Sequence, residues 1–399
     1  MATTTRQLLT SDRAELVMRR LGEAGWRALS RLRKGRPLDL EPVVRMLGMR
    51  PFARRFYGAF IDANGASYAD VDATLGRIRS LKPEAWSGEW RRTAQHYDRL
   101  GREAVQAGRS ATAVEMLTRA STYYRFAEMS ILSDTPERAA LERAAVDAFV
   151  QAGRHMHPPI ERVEVPVNGL LLPAYLRLPR GAARPPIVLI VPGLGMVKEH
   201  GDFPPEVIVD RGMATLTVDL PGQGESRPYL SLNESNAVAV VKGAVDYLLS
   251  REDLDGDRLA LVGTSMGAAA AMLAAVSDRR VKALVEIAGF YNPSAWWGSF
   301  PHEIKEFLRY VLGVATHDEL LEIVQSVNLR GRISDIVCPL LVVHGEMDPI
   351  IPFGESHLIF AEAREPKERL IFSSGDHGCV NVGEAHALIA DWIASQLGA

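Results

Sequence analysis

Residues 258–267 read Arg-Leu-Ala-Leu-Val-Gly-Thr-Ser-Met-Gly, and they constrain the chain more than any other stretch. The apolar run 259–262 has the length and composition of a buried strand, and the small-residue run 268–275 that of a helix. Only five residues separate them, so the chain must turn sharply between strand and helix. Gly263 and Gly267 bracket that turn. Lacking side chains, they let strand and helix approach closely and let the residue between them adopt a strained backbone conformation at the end of the strand. That residue, Ser265, is the candidate nucleophile. A Gly-x-Ser-x-Gly match alone arises often by chance; the flanking strand and helix make this one specific.

A serine hydroxyl is a weak nucleophile at its free pKa, so a base and a group that orients it must follow, in the order Ser, Asp or Glu, His. A predicted strand over 337–344 is followed by the turn Gly345-Glu346-Met347-Asp348-Pro349, and a predicted strand at 370–372 by Ser373-Ser374-Gly375-Asp376-His377-Gly378. Asp348 and His377 each stand just beyond a strand. In this reading His377 takes the Ser265 proton and Asp348 fixes the imidazole tautomer. Taken singly, Asp348 reads equally as a turn former before Pro349 and His377 as a surface loop histidine. Order and position together set them apart.

An oxyanion also needs donors. The apolar strand at 186–191 runs into Pro192-Gly193-Leu194-Gly195-Met196, which makes the backbone N–H groups of Leu194 and Met266 the candidate pair. A glycine loop after a strand could also hold a phosphate. This one lacks the third glycine and the downstream acid that a dinucleotide site requires.

With 399 residues the chain is long enough for two domains. Residues 1–157 read as helical throughout: Leu16, Leu21, Ala24, Ala28 and Leu32 recur at helical spacing behind an Asp12/Glu15 capping signal. Trp86, Trp90, Ala94, Tyr97 and Leu100 form a second stripe and Val114, Leu117, Ala120, Tyr124 and Ala127 a third, while Thr135-Pro136 has the pattern of a cap followed by a first-turn proline. Such stripes are helix-to-helix core in the plain reading and pocket lining in the sharper one. No period near 34 residues supports a helical repeat.

From 158 onward, Asn168-Gly169 signals a hairpin. Predicted strands at 187–192, 213–220, 259–263, 283–288, 337–344 and 369–373 then alternate with helices near 204–210, 235–250, 268–275 and 386–397. The fold class is therefore α/β: a mostly parallel sheet covered by helices, whose sites lie at the carboxyl ends of the strands.

Residues 1–158 carry 26 basic and 18 acidic side chains and residues 159–399 carry 20 and 31, an asymmetry that would let the two parts attract one another. The basic part is too mixed in sign to argue for nucleic acid. No run has the length and apolarity of a membrane span or signal peptide, and two cysteines, Cys338 and Cys379, do not make a disulfide framework, so a cytoplasmic location is the expectation. Cys379 stands two residues past His377, close enough to the site to be sensitive to modification. No metal-ligand cluster and no cofactor loop is visible.

The elbow Gly-Thr-Ser-Met-Gly, the segment Asp219-Leu220-Pro221-Gly222-Gln223-Gly224-Glu225-Ser226, the His-Gly-x-x-Asp run at 344–348 and Gly-Asp-His-Gly at 375–378 resemble the α/β-hydrolase superfamily over about 160–399. The helical N-terminal domain and Gly195-Met196-Val197-Lys198-Glu199 resemble the subgroup containing 2,6-dihydroxypseudooxynicotine hydrolase, the fermentation-respiration switch protein and fungal polyketide-shortening hydrolases. That resemblance implies a helical domain, 1–157, capping a catalytic domain, 158–399. It also implies homodimers, and hydrolysis of a carbon–carbon bond beside a ketone in some members and of esters in others. It assigns Ser265, Asp348 and His377 as triad and Leu194 and Met266 as oxyanion donors. Asp219 matches a structural turn. Lys198 and Glu199 match a Lys-Glu pair that organises the oxyanion loop, and they are candidate substrate contacts; the alternative is a solvated helix start. The resemblance also implies an additional acid near substrate in the carbon–carbon-cleaving relatives; the sequence does not locate it, so the bond type stays open.

Residues 289–335 join two predicted strands and are rich in aromatics. An insertion at this place is expected over the nucleophile, which makes Tyr291, Trp296 and Trp297 candidate substrate contacts, with a small satellite core as the alternative. Three functions remain: a serine hydrolase acting on an activated carbonyl of a hydrophobic small molecule, an esterase, thioesterase or acyltransferase on an acyl chain, and a regulatory binding protein that kept the fold.

Overall fold

The computed structural model describes residues 66–201, 203–300 and 302–399. The helical stripe expected at 16–32 lies outside them. Among the described residues, four helices come first: α1 (Tyr68–Arg77), α2 (Pro83–Gln106), α3 (Ser110–Met129) and α4 (Pro136–His155). The aromatic stripe on α2 is core, as its spacing predicts. Trp90 is fully buried, with its ring 5.5 Å from Tyr123 and 4.9 Å from Phe126 on α3. At Gly101 a Cβ would stand 2.5 Å from Leu117 Cγ, so glycine is what lets α2 and α3 pack this closely. Thr135 caps α4, its hydroxyl accepting the Arg138 N–H at 3.1 Å with Pro136 in the first turn.

The hairpin β1 (Ile160–Val167) and β2 (Leu170–Arg177) turns at Asn168 and Gly169, whose φ values of 51° and 80° are the left-handed pair a two-residue turn demands. There follow β3 (Ile187–Val191), α5 (Glu206–Val209), β4 (Ala214–Val218), α6 (Glu234–Leu249), β5 (Leu259–Thr264), α7 (Met266–Ser277), β6 (Ala283–Ile287), α8 (His302–Leu312), α9 (His317–Ser326), β7 (Leu340–Gly345), α10 (Gly354–Glu362), β8 (Lys367–Phe372) and α11 (Ala385–Leu397). The eight strands form one sheet in the order β1-β2-β4-β3-β5-β6-β7-β8, parallel from β4 to β8 and antiparallel at the β1 and β2 edge.

Both faces of the parallel part are covered. Leu189, Leu261 and Leu284 point to the side of α6 and α7, whereas Ile190, Val262 and Val285 point to the side of α5 and α11. The near-continuous apolar strands follow from this double burial. Truncating a fully buried residue such as Leu261 to alanine would cost about 2–5 kcal/mol. Strand β7 starts three residues later than its apolar run, because Pro339 cannot donate to the ladder and Val337 faces solvent. Helix α10, which no apolar periodicity announced, packs on β7. None of the described helices is long and apolar enough to cross a membrane.

Candidate active site

Ser265 occupies the corner between β5 and α7 with φ 54° and ψ −114°, a conformation that L-residues rarely adopt. Its N–H donates to the Ile287 carbonyl at 2.8 Å, which secures the corner to β6. The two glycines are sterically required. A Cβ on Gly263 would lie 2.4 Å from the Gly267 carbonyl oxygen, and one on Gly267 would lie 2.0 Å from that of Val191. The elbow is therefore jammed against the end of β3, where the glycine-bearing loop begins.

Asp348 and His377 come from the loops after β7 and β8, which are laced together by backbone. Glu346 N–H donates to Phe372 O at 2.9 Å and Met347 N–H to Gly375 O at 3.0 Å. His377 Nδ1 then lies 2.8 Å from Asp348 Oδ2, while Asp348 Oδ1 accepts the N–H groups of Ile350 and Ile351 at 2.8 and 2.9 Å. Burial works against the charge on Asp348, but His377 and those two N–H groups outweigh it and hold the carboxyl below its ordinary pKa. At Gly378, φ 76°, a Cβ would come 3.6 Å from Thr264 Cγ2, so the histidine loop lies against the residue preceding Ser265. The fully buried His344 stands 3.5 Å from the same Asp348 oxygen and donates from Nε2 to Ile351 O at 3.2 Å. Burial pushes its pKa down, which keeps it a neutral spacer.

Met266 is the first residue of α7, so its N–H has no acceptor within the helix. The Leu194 loop is held by groups that pattern reading did not single out. Gln223 accepts the Gly195 N–H through Oε1 and reaches the Gly193 carbonyl with Nε2 at 3.5 Å. Arg125, from α3, donates to the Gly195 carbonyl at 3.2 Å. Ser121 lies 2.8 Å from His200 Nε2 at the loop's far end. Because Ser121 donates its own hydroxyl proton to Ala145 O at 2.7 Å, it accepts from the imidazole. Burial drives His200 to a pKa of about 4, so it stays neutral.

Beneath the loop lies a buried charge cluster. Lys198 Nζ is within 2.9 Å of Glu199, 2.8 Å of Asp219 and 2.8 Å of Glu225, and Asp219 also accepts the Lys198 N–H at 2.7 Å. Tyr175 donates to Glu199 and Arg162 to Glu225, each at 2.8 Å. Asp219 also accepts the Glu225 N–H at 3.1 Å, across the turn that follows it. Lys198 and Glu199 are both buried, Lys198 against three carboxylates and Glu199 against Lys198 and Tyr175.

The aromatic insertion forms its own cluster, with Trp296 stacked on Phe300 at 4.7 Å and Trp297 5.3 Å from the same ring. The Tyr291 hydroxyl is committed to Glu362 on α10 at 2.6 Å, tying the insertion to the sheet domain. The insertion also meets the helical part: Tyr310 donates to Asp134 at 2.8 Å, and Arg227 stacks on its ring at 3.6 Å while pairing with the same carboxylate at 2.9 Å. Here the helical side supplies the acid, opposite in sign to the charge asymmetry of the sequence.

His302, Glu306 and His317 bring three metal-type ligand atoms within 4.8 Å of one another, a proximity that residue spacing does not show. Glu306 is occupied by Arg309 at 2.9 Å and by His317 at 2.9 Å, which makes the group a staple between α8 and α9. Cys379 is wholly buried, and burial together with Asp348, Asp376 and Glu286 pushes its thiol up to about 12. That overturns the expectation of a modification-sensitive cysteine.

The sheet order, the elbow and the position of the acid and histidine loops define the α/β-hydrolase fold, and the chain is an α/β-hydrolase enzyme. Residues 201–399 match the prolyl oligopeptidase family. The chain is 29% identical to 2,6-dihydropseudooxynicotine hydrolase of Paenarthrobacter nicotinovorans over 333 residues, covering 83% of this chain and 89% of that one. It is 28% identical over 345 residues to 20-hydroxy-prefusarin hydrolase of Gibberella moniliformis, covering 75% and 80%. The crystal structure of 2,6-dihydroxy-pseudo-oxynicotine hydrolase superimposes with a TM-score of 0.77 at 28% identity, over 85% of this chain and 95% of that one.

Proposed function

We propose that the protein is a serine hydrolase that cleaves an activated carbonyl compound of hydrophobic, ketone-bearing character, and that its scissile bond is the carbon–carbon bond beside a ketone. The observation that carries the catalytic part is the His377–Asp348 bond of 2.8 Å in a loop lying against the strained Ser265 corner. With Nδ1 held by the carboxylate, Nε2 is the nitrogen that takes the Ser265 proton. Ser265 Oγ bonds to the substrate carbonyl carbon, and the oxyanion collects at the N–H groups of Leu194 and Met266. When it collapses, the bond to the leaving carbon breaks, and His377 returns its proton to that carbon, whose charge the substrate's own second carbonyl has delocalised. Water, deprotonated by His377, then releases the acyl group and restores Ser265.

The relation to a carbon–carbon bond hydrolase and to polyketide-related hydrolases supports the bond type, and the aromatic insertion supports an aryl or polyketide-like substrate bounded by Trp296 and Trp297. Residues 1–157 serve as the helical cap and 158–399 as the catalytic domain, in a homodimer whose mass light scattering would read. Ester cleavage is the second reading: the prolyl oligopeptidase match favours a heteroatom leaving group over carbon, and the same residues would serve an ester. A panel of β-diketones and p-nitrophenyl esters of matched acyl chains separates them. The proposal expects higher kcat/KM on the diketones, and turnover confined to esters would overturn the bond assignment.

A further inference from the structure

We propose that Arg125 is a positioning residue for the oxyanion hole, so that α3 of the helical part belongs to the catalytic machinery and is more than a substrate-selecting cover. This rests on the serine-hydrolase reading and goes beyond it. The Gly193–Gly195 loop carries Leu194, whose N–H must point at the developing charge. Gly195 sits at φ 81°, open to glycine but rigid only if its neighbours fix it. Its N–H is held from the sheet side by Gln223, and its carbonyl from the opposite side by Arg125 at 3.2 Å. The Leu194 N–H shares its peptide plane with Gly193 O, which the Met196 N–H and Gln223 reach at 3.2 and 3.5 Å, and Arg125 holds the Gly195–Met196 peptide that carries Met196, so the loop that aims Leu194 is pinned at both ends.

The arginine is built for this task. Arg125 and Ser121 lie four residues apart on one face of α3, and both reach the 193–200 segment, Ser121 through His200 at 2.8 Å. Glu128 is fully buried and paired with both Arg125 and Arg138. Arg138 alone would neutralise it. The second guanidinium is anchored by Glu128 through Nη1 and spends Nη2 on the loop, a two-way geometry that a planar fork provides and a lysine does not.

The test uses the full chain with Arg125→Ala, Arg125→Lys and the Ser265→Ala control. It measures kcat and KM on the best substrate, the rate of fluorophosphonate labelling, and thermal melting. In folded Arg125→Ala, kcat and labelling rate should fall about 10- to 100-fold with KM little changed, the scale of a displaced catalytic group, and sub-denaturing guanidinium should restore part of both. Arg125→Lys keeps the charge beside Glu128, guards against a failure to fold, and should show the same kcat-only loss. Wild-type kcat in either folded variant, or a loss accompanied by an equal rise in KM and no response to guanidinium, would overturn the inference. Wild-type protein that is not labelled at Ser265 would instead sink the hydrolase reading and this inference with it.

Discussion

His377 Nδ1 and Asp348 Oδ2 are 2.8 Å apart, and the other oxygen of that carboxylate already accepts two backbone N–H groups. Asp348 therefore cannot rotate, and it stays an ionised acceptor of the hydrogen bond from His377. Asp348→Asn would offer an amide where the imidazole needs an acceptor and would favour the wrong tautomer. The expected result is a fall in kcat of about 10³- to 10⁴-fold with the melting temperature little changed. Steady-state kinetics beside a thermal melt reads both, and activity within a few-fold of wild type would contradict the assignment.

Glu286 lies on β6, wholly buried, with the Gly289 N–H on Oε2 at 2.8 Å and no hydrogen-bond partner for Oε1 among the described residues. Burial raises its pKa from 4.5 to about 8. An acid whose pKa rises on folding binds its proton more tightly in the folded state. Its burial adds no pH-dependent cost while both states are protonated, below about pH 4.5; the cost grows between about pH 4.5 and 8 and is constant above, where both states are ionised. Glu286→Gln should therefore leave stability unchanged near pH 4 and raise it above pH 8, by an amount on the order of a few kcal/mol. Urea melts at the two pH values check this. An equal gain at both would show that the charge is not the cause.

Cys338 and Cys379 are both buried, with thiols pushed up to about 11 and about 12 respectively, by burial first. Neither should react with a thiol reagent in the native protein, and both should react in denaturant. Rapid native labelling of Cys379 with loss of activity would mean that the loop after His377 opens.

The places of Ser265, Asp348 and His377, each just past a strand end, could be read from the sequence because each belongs to a local strand-then-turn pattern whose meaning does not depend on distant residues. The hairpin at Asn168-Gly169 and the Thr135 cap were legible for the same reason. Long-range contacts were not. Arg125 meets Gly195 across 70 residues and Tyr310 meets Asp134 across 176, and neither residue type is unusual on a helix. Lys198 and Glu199 look like a solvated pair in one dimension and become buried only because Asp219, Glu225, Arg162 and Tyr175 converge on them. Tyr291 was legible as an aromatic in an insertion, but its commitment to Glu362 depends on α10, a helix whose mixed polarity hides its period.

Activation of Ser265 by His377 and Asp348 can be read from intact-protein mass after incubation with a fluorophosphonate. One adduct on the wild type, mapped to Ser265, none on Ser265→Ala, and slowed formation on Asp348→Asn is the predicted result. Folded wild-type protein that takes up no adduct, or labels equally with Ser265 removed, would contradict the account.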